Sequence, residues 1–378
     1  MPRWLLVAML VAFPVGLLAG WVLSGSRTRA TPDQAPPTPS PAPAVQVTGQ
    51  DYTFAAAAVE WLPADREQAL PGTIAAALEG KPGLWVGPAA SGQPTRHLAS
   101  AGANEMAEVR WSADGRALIC VVPCAEHTVH HPDLGMDTIE PVVDRPLQNW
   151  SSGDLAVLDV EADRLRVVDS TGRLDVGGLA ARQPEEGAII GGVCRGTEGV
   201  LLIDTDTGTV VQKLLDRGDV PGGGLDVSPD GKLCVISAEG GALEMGDHDL
   251  VAYSLPDGAE AFRDDEPNGG ASGSEGEAGG GAAPAFSPDG RFLACVRLPS
   301  EANGQDSQVT VVSVSDPTHR DRFAITGWAG WTLSWSPDGR YLAIPSNHNA
   351  AAHLWLIDLA EKRLWKWLAG VRTFDWGP

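Results

Sequence analysis

The stretch WSPDGRYLAI, residues 335–344, decides the architecture of this chain, because it recurs as WSADGRALIC from Trp111, VSPDGKLCVI from Val227 and FSPDGRFLAC from Phe286. Each copy predicts two strands joined by a tight turn. Proline presets φ at the first central position, aspartate hydrogen-bonds the local backbone, and glycine takes the left-handed position that closes the hairpin. Ala113 stands where the other copies have proline, which a type I turn tolerates.

Downstream of each glycine the chain is apolar on consecutive positions: Leu118-Ile119-Cys120, Cys234-Val235-Ile236, Leu293-Ala294-Cys295 and Leu342-Ala343-Ile344. A strand apolar on both faces is buried on both faces. Antiparallel hairpins with that property recur when small sheets stack around an axis, as in a β-propeller. Repetition in four places also gives Asp114, Asp230, Asp289 and Asp338 one structural role instead of a catalytic one.

A second strand type punctuates the chain: LWVG from Leu84, LAVLD from Leu155, VLLID from Val200, LVAYSL from Leu250, VTVVSV from Val309 and LWLID from Leu354. Six such strands predict six blades across residues 55–378. The third, around residues 187–215, lacks the Pro-Asp-Gly turn. VEWLPAD, residues 59–65, reads as a degenerate first turn with Trp61 and Pro63 in the motif columns. At the other end VRTFDWGP places Trp376 and Pro378 where Trp335 and Pro337 sit, so the last strand should pair with the N-terminal sheet and remove an exposed edge. Because the N-terminal repeat then has a strand to spare, a seven-bladed ring is the alternative, with residues 45–54 completing the extra blade.

Residues 4–23 contain no charge, long enough for one transmembrane helix with Trp4 and Trp21 near the interfaces. An uncleaved single-pass anchor is expected, with the amino terminus inside and the propeller on the extracytoplasmic side of the cell membrane. A signal peptide cut after Ser26 would make the protein secreted. Residues 24–54, proline-rich over 31–44, predict a semi-rigid stalk. The net charge of −22 and pI near 4.6 argue against nucleic acid and anionic lipid as partners, since both need a basic patch. The membrane is then engaged through the N-terminal helix only. Among the five cysteines, Cys120, Cys234 and Cys295 share repeat columns with leucine and isoleucine, so they read as small core hydrophobes and not as a disulfide framework.

Two insertions break the rhythm, 123–150 and the glycine-rich, acidic 266–284. The first holds Cys124, His127, His130, His131 and Asp133, groups that bind zinc or copper. No pair has structural-zinc spacing with a second half elsewhere, so a solvated polar loop is the competing reading, and no metal or cofactor is assigned. DTDTG, residues 204–208, lacks the further acidic ligand of a calcium loop and falls where a blade turns. His348 and His353 flank the last loop. Trp111, Trp335 and Trp376 share a core column with Val227 and Phe286, whereas Trp328, Trp331, Trp365 and Trp367 are candidates for exposed binding anchors on the rim.

With SPDGK at Ser228, SPDGR at Ser287 and Ser336, and SADGR at Ser112, the chain resembles the TolB-type, WD-repeat-like propeller family over roughly residues 55–378. The resemblance implies the fold, and little about function, because such repeats serve adaptors, receptors and gating domains of peptidases. No counterpart of the separate N-terminal α/β domain of TolB is expected in residues 1–54. Nor does a G-x-S-x-G nucleophile elbow occur, which the propeller-bearing peptidases would require. The expectation is a non-enzymatic, membrane-tethered scaffold whose loop face binds a protein or cell-envelope component. The alternative is a small-ligand or metal sensor, or a propeller enzyme, using the 123–150 insertion.

Overall fold

The repeated turn has the same hydrogen bonds in all four copies. The glycine N–H (Gly115, Gly231, Gly290, Gly339) donates to the carbonyl of the serine three residues back, at 2.7–2.9 Å, and each glycine has φ between +66° and +70°. These are the conformations that favour glycine. The serine and the residue five positions on then close the hairpin through their backbones, as in Ser336 N–H to the Tyr341 carbonyl at 2.9 Å.

The computed structural model describes residues 45–99, 108–112, 114–123, 126–131, 136–141, 153–167, 189–194, 199–204, 209–215, 224–237, 250–255, 258–264, 281–297, 307–326, 332–346 and 353–378. The expected transmembrane segment and most of the stalk lie outside these residues. Among the described residues no helix is long and apolar enough to cross a membrane.

The architecture is an all-β propeller. Blade 1 combines β2 (Thr73–Leu78), β3 (Leu84–Pro88) and β4 (Arg96–Leu98) with the last strand, β26 (Val371–Gly377). Blade 2 holds β5 (Glu108–Trp111), β6 (Ala117–Pro123), β9 (Gly153–Asp159) and β10 (Arg164–Val167). A separate hairpin, β7 (Glu126–His131) and β8 (Met136–Pro141), stands between β6 and β9. Blade 3 holds β14 (Leu225–Val227), β15 (Leu233–Ser237), β16 (Leu250–Ser254) and β17 (Glu260–Asp264). Blade 4 holds β18 (Gly281–Phe286), β19 (Phe292–Arg297), β20 (Ser307–Ser313) and β21 (Arg320–Thr326), with β1 (Asp51–Ala55) added outside β21. Blade 5 holds β22 (Ser334–Trp335), β23 (Tyr341–Pro345), β24 (His353–Asp358) and β25 (Arg363–Ala369).

Among the described residues five full blades therefore stand where the repeat count predicted six. The region expected to be the third blade forms a three-stranded sheet of β11 (Ile189–Cys194), β12 (Gly199–Asp204) and β13 (Thr209–Leu215), without a fourth strand among the described residues. That repeat also lacks the Ser-Xaa-Asp-Gly turn, the device that joins the first strand to the second in blades 2 to 5. The seven-blade alternative fails for a different reason. Residues 45–54 found no sheet of their own; β1 has no hairpin partner and pairs in parallel with the existing edge strand β21.

Ring closure follows the expected route. β26 pairs antiparallel with β2, Trp376 opposite Ile74 and Phe374 opposite Ala76, so the carboxyl terminus supplies the first strand of blade 1. The degenerate hairpin turn expected at residues 59–65 does not form, and Ala64–Glu67 is a short helix instead. Trp61 makes one isolated parallel bridge to Lys366 on the outside of blade 5, which leaves the place beside β2 open for β26.

Proline in one turn meets glycine in the next. A Cβ on Gly290 would touch Pro229 at 3.5 Å, on Gly339 Pro288 at 3.8 Å, on Gly72 Pro337 at 2.6 Å, and on Gly115 Pro378 at 3.1 Å. These contacts run in order from blade 3 through blades 4, 5 and 1 to blade 2, with Pro378 serving as the motif proline. Apolar cores fill the seams between. Trp335, Leu342, Phe323 and Ala294 pack between blades 4 and 5, and Trp365, Trp367, Trp376 and Ile74 between blades 5 and 1. The strands apolar on both faces are buried on both, β23 along its whole length. Cys120, Cys234 and Cys295 are buried free thiols, as their columns predicted.

Candidate functional site

The turn aspartates come first, because repetition assigned them to structure. Each accepts the hydroxyl of its own buried serine at 2.6–2.7 Å: Ser112 to Asp114, Ser228 to Asp230, Ser287 to Asp289, Ser336 to Asp338. The same serine oxygen accepts the N–H five residues on, as from Phe292 and Tyr341 at 2.9 and 2.8 Å. The hydrogen bonds from Ser112 and Ser228 hold the Asp114 and Asp230 carboxyls below the usual range. Oδ1 of each turn aspartate is engaged inside its turn.

Two other carboxylates lie on the innermost strands. Asp226 in β14 accepts the Phe286 N–H of the next blade at 2.6 Å and the Val227 N–H at 2.8 Å. Asp375 in β26 accepts the Trp111 N–H of blade 2 at 2.7 Å and the Ser334 hydroxyl of blade 5 at 2.7 Å, with Arg110 Nη1 at 4.0 Å. Ser334 in turn accepts the Trp376 N–H at 3.1 Å. Burial pushes Asp226 up to about 6, against the opposing pull of the Phe286 N–H and Arg110. These groups staple neighbouring blades at the axis. The sequence reading passed over them, although the position two before each turn serine reads Arg110, Asp226, Ala285, Ser334 and Asp375. Four polar residues in that column of a buried strand were the available signal.

The two faces of the propeller differ in a way that points to function. Because neighbouring strands in each blade are antiparallel, connections from first to second strand and from third to fourth open on one face. Those from second to third strand, and from one blade to the next, open on the other. On the first face every connection is short, four to seven residues, and includes all four Ser-Xaa-Asp-Gly turns. On the second lie 29 residues at 124–152, 16 at 265–280, 12 at 238–249, and nine each at 99–107 and 298–306. The remaining connections there are shorter, seven residues each at 327–333 and 346–352, and shortest at 79–83 and Gly370, the two that flank blade 1. Both insertions recognised in the sequence thus open on one loop face.

Next to the two short connections, the loop face carries aromatic side chains on described residues. Trp61, 53% exposed, meets the His353 ring edge-on at 5.2 Å between centroids. Trp85 stacks on His97 at 4.9 Å, with Lys81 Nζ 4.7 Å from the indole centroid. An exposed tryptophan held by a rigid neighbour is the kind of group that anchors protein interfaces. The aromatic anchors expected from sequence are corrected accordingly. Trp365 and Trp367 are 5% and 3% exposed, packed in the seam between blades 5 and 1, with Trp367 4.8 Å from Trp376. Trp328 and Trp331 lie outside the described residues.

Three of the candidate metal ligands lie in the hairpin between β6 and β9. The backbone of His127, His130 and His131 runs in β7, opposite Glu140, Asp137 and Met136 of β8. Cys124, Asp133 and His348 lie outside the described residues. Among the described residues no group of three His, Cys, Asp or Glu could hold a metal ion. Asp204 and Thr209 face each other at the end of β12 and β13, so DTDTG joins a hairpin.

No family profile matches the chain, and no curated protein matches it. Among solved structures it is similar to TolB from Acinetobacter baumannii, with a TM-score of 0.56, 16% identity, and coverage of 82% of this chain and 68% of that one. It is also similar to a chain of a nidogen/laminin complex, with a TM-score of 0.53, 9% identity, and coverage of 80% and 98%. At these identities the likeness shows the β-propeller fold alone.

Proposed function

We propose that the protein is a non-enzymatic scaffold that binds a protein or cell-envelope partner through its loop face. The asymmetry of the two faces carries this reading: one is sealed by short, internally hydrogen-bonded turns, and the other gathers the long connections on a rigid rim. Exposed Trp61 and the Trp85–His97 stack supply anchoring surface beside the loops. One of the solved propellers similar in fold comes from a protein–protein complex, that of nidogen with laminin, which fits a binding role. The aspartates of the repeat are engaged in their turns and those of the axis in inter-blade bonds, so neither set offers a free catalytic pair. The twenty uncharged residues at 4–23 support a membrane tether, with the propeller on the extracytoplasmic side.

The test is gentle detergent co-purification of the full-length protein from its native membranes, with mass spectrometry and metal analysis of the same eluate. A stoichiometric protein that disappears when residues 123–150 are shortened supports the reading. A metal or small molecule retained at one per chain, without a protein partner, would replace it with the sensor alternative.

A further inference from the structure

The chain from Val45 to Leu62 runs along the outer edges of blades 4 and 5, from the turn face toward the loop face. β1 pairs in parallel with β21 from Asp51↔Arg322 to Ala55↔Thr326, on the outside of an otherwise antiparallel blade. The Glu60 carbonyl and Leu62 N–H then bond Lys366 of blade 5, both at 2.7 Å. None of the five β1 residues is buried. The strap is held by its backbone pairing, by a polar seat at its head, and by Val45 and Val59, buried in the core that Tyr52 and Phe54 also touch.

That seat is Asp321, 1% exposed in β21. Its Oδ1 accepts the Thr48 N–H at 2.8 Å, the Gln50 N–H at 3.1 Å and the Thr48 hydroxyl at 3.2 Å. Lys362, from the blade 5 turn, donates to Asp321 Oδ2 at 2.6 Å and to the Gln46 carbonyl at 2.9 Å. The Arg322 N–H donates to the Gln50 carbonyl at 2.9 Å, and the Arg322 guanidinium reaches Asp51 at 3.0 Å. Tyr52 and Phe54 lie over the buried Phe323 ring, with centroids 5.1 and 6.4 Å away. Four of the six polar contacts to the strap are to its backbone N–H or C=O groups, with aromatic residues at two alternate positions.

We propose that the outer edge of blade 4, from Asp321 to Thr326, is a binding site for an extended parallel strand. Residues 48–55 fill it in cis, and the same segment of a second copy fills it when the strap lifts. The occupant is argued from the seat itself: the segment already matches Asp321, Lys362 and Phe323, and any second copy carries the identical sequence. Ala56–Ala58 buries no side chain and serves as the hinge, while buried Val59 keeps the chain beyond it in place. An edge strand stripped of its cover is a template for pairing with another chain, and exchange of an identical element between copies is an easy route to association. Burial pushes the Asp321 carboxyl up, but Lys362 and the Gln50 and Thr48 N–H groups outweigh it and hold the carboxyl below the usual range, so the seat stays charged at neutral pH.

The test uses the full-length protein with Thr48→Pro and Gln50→Pro, which remove both N–H donors from the strap and leave the seat intact. A fluorescent peptide of sequence VQVTGQDYTFA, residues 45–55, is titrated into wild type and variant. The proposal expects binding to the variant at least tenfold tighter than to wild type, and loss of that binding when Asp321→Ala is added. Equal binding to both proteins, or none to a variant that keeps its circular dichroism, overturns it. Should the variant not fold, hydrogen exchange on wild type decides. Thr48 and Gln50 amides should exchange at least tenfold faster than β20 amides, through an opening insensitive to denaturant. Exchange only through global unfolding overturns the proposal.

Discussion

Replacing Ser336 by alanine should damage the propeller more than replacing the aspartate beside it. Ser336 is fully buried, and its Oγ accepts the Tyr341 N–H at 2.8 Å while donating to Asp338 at 2.6 Å. Alanine removes the acceptor, and with no exposure at the site water does not replace it. An orphaned buried N–H costs about 1–3 kcal/mol. Asp338 is exposed and recovers its lost partner from water, so that side of the bond adds little. The expected loss is about 2 kcal/mol, read as a lower urea midpoint with an unchanged m-value. Asp338→Asn keeps an acceptor oxygen and should cost under about 1 kcal/mol. If Ser336→Ala lies within about 0.5 kcal/mol of wild type, or Asp338→Asn costs more, the buried serine is not what secures the turn.

Three further outcomes follow from particular contacts. The folded Asp226 carboxyl holds its proton up to about pH 6, whereas the unfolded group releases it near 3.8. Its contribution to stability is therefore full below 3.8 and is lost as pH rises through 6, so wild type should lose ground to Asp226→Asn between pH 4.5 and 7 in urea melts; a constant difference refutes this. Burial pushes the Cys120 and Cys234 thiols up to about 12, so neither should react with maleimide at pH 8 until urea unfolds the chain. Gly72→Ala would drive a Cβ into the Gly377 carbonyl and to 2.6 Å from Pro337, while at Gly80, with a similar φ of +70°, nothing lies within 4 Å. Gly80→Ala should cost about 1–2 kcal/mol for the left-handed backbone alone, and Gly72→Ala clearly more, with circular dichroism melts as the readout.

What the sequence showed, it showed through repetition. The Ser-Xaa-Asp-Gly turns, the third strands from LWVG to LWLID and the closing strand at Trp376 were legible because each copy checks the others. Features made once were not. Thr48 finds its acceptor 273 residues away, and nothing in VTGQ announces Asp321 as its partner. RLWKWLA places Trp365 and Trp367 on the same side of one strand, and only the seam with blade 1 decides that this side is covered. Trp61 took a motif column by resemblance, yet β26 had the better claim to pair with β2, having seven residues of strand and the buried Phe374 to offer. The blade count erred where the repeat itself was faintest, at residues 187–215. At the candidate site, the two insertions were visible as breaks in rhythm. That they share a face needed the strand order.

The most direct measurement of the loop-face claim is site-specific photo-crosslinking in native membranes. A benzophenone amino acid replaces Trp61 or Lys81 on the loop face, and Arg116 or Lys232 on the turn face. All four positions are exposed. The scaffold reading predicts a discrete protein adduct from the loop-face positions and none from the turn face. An adduct confined to Arg116 and Lys232, or no adduct from any of the four, would contradict it.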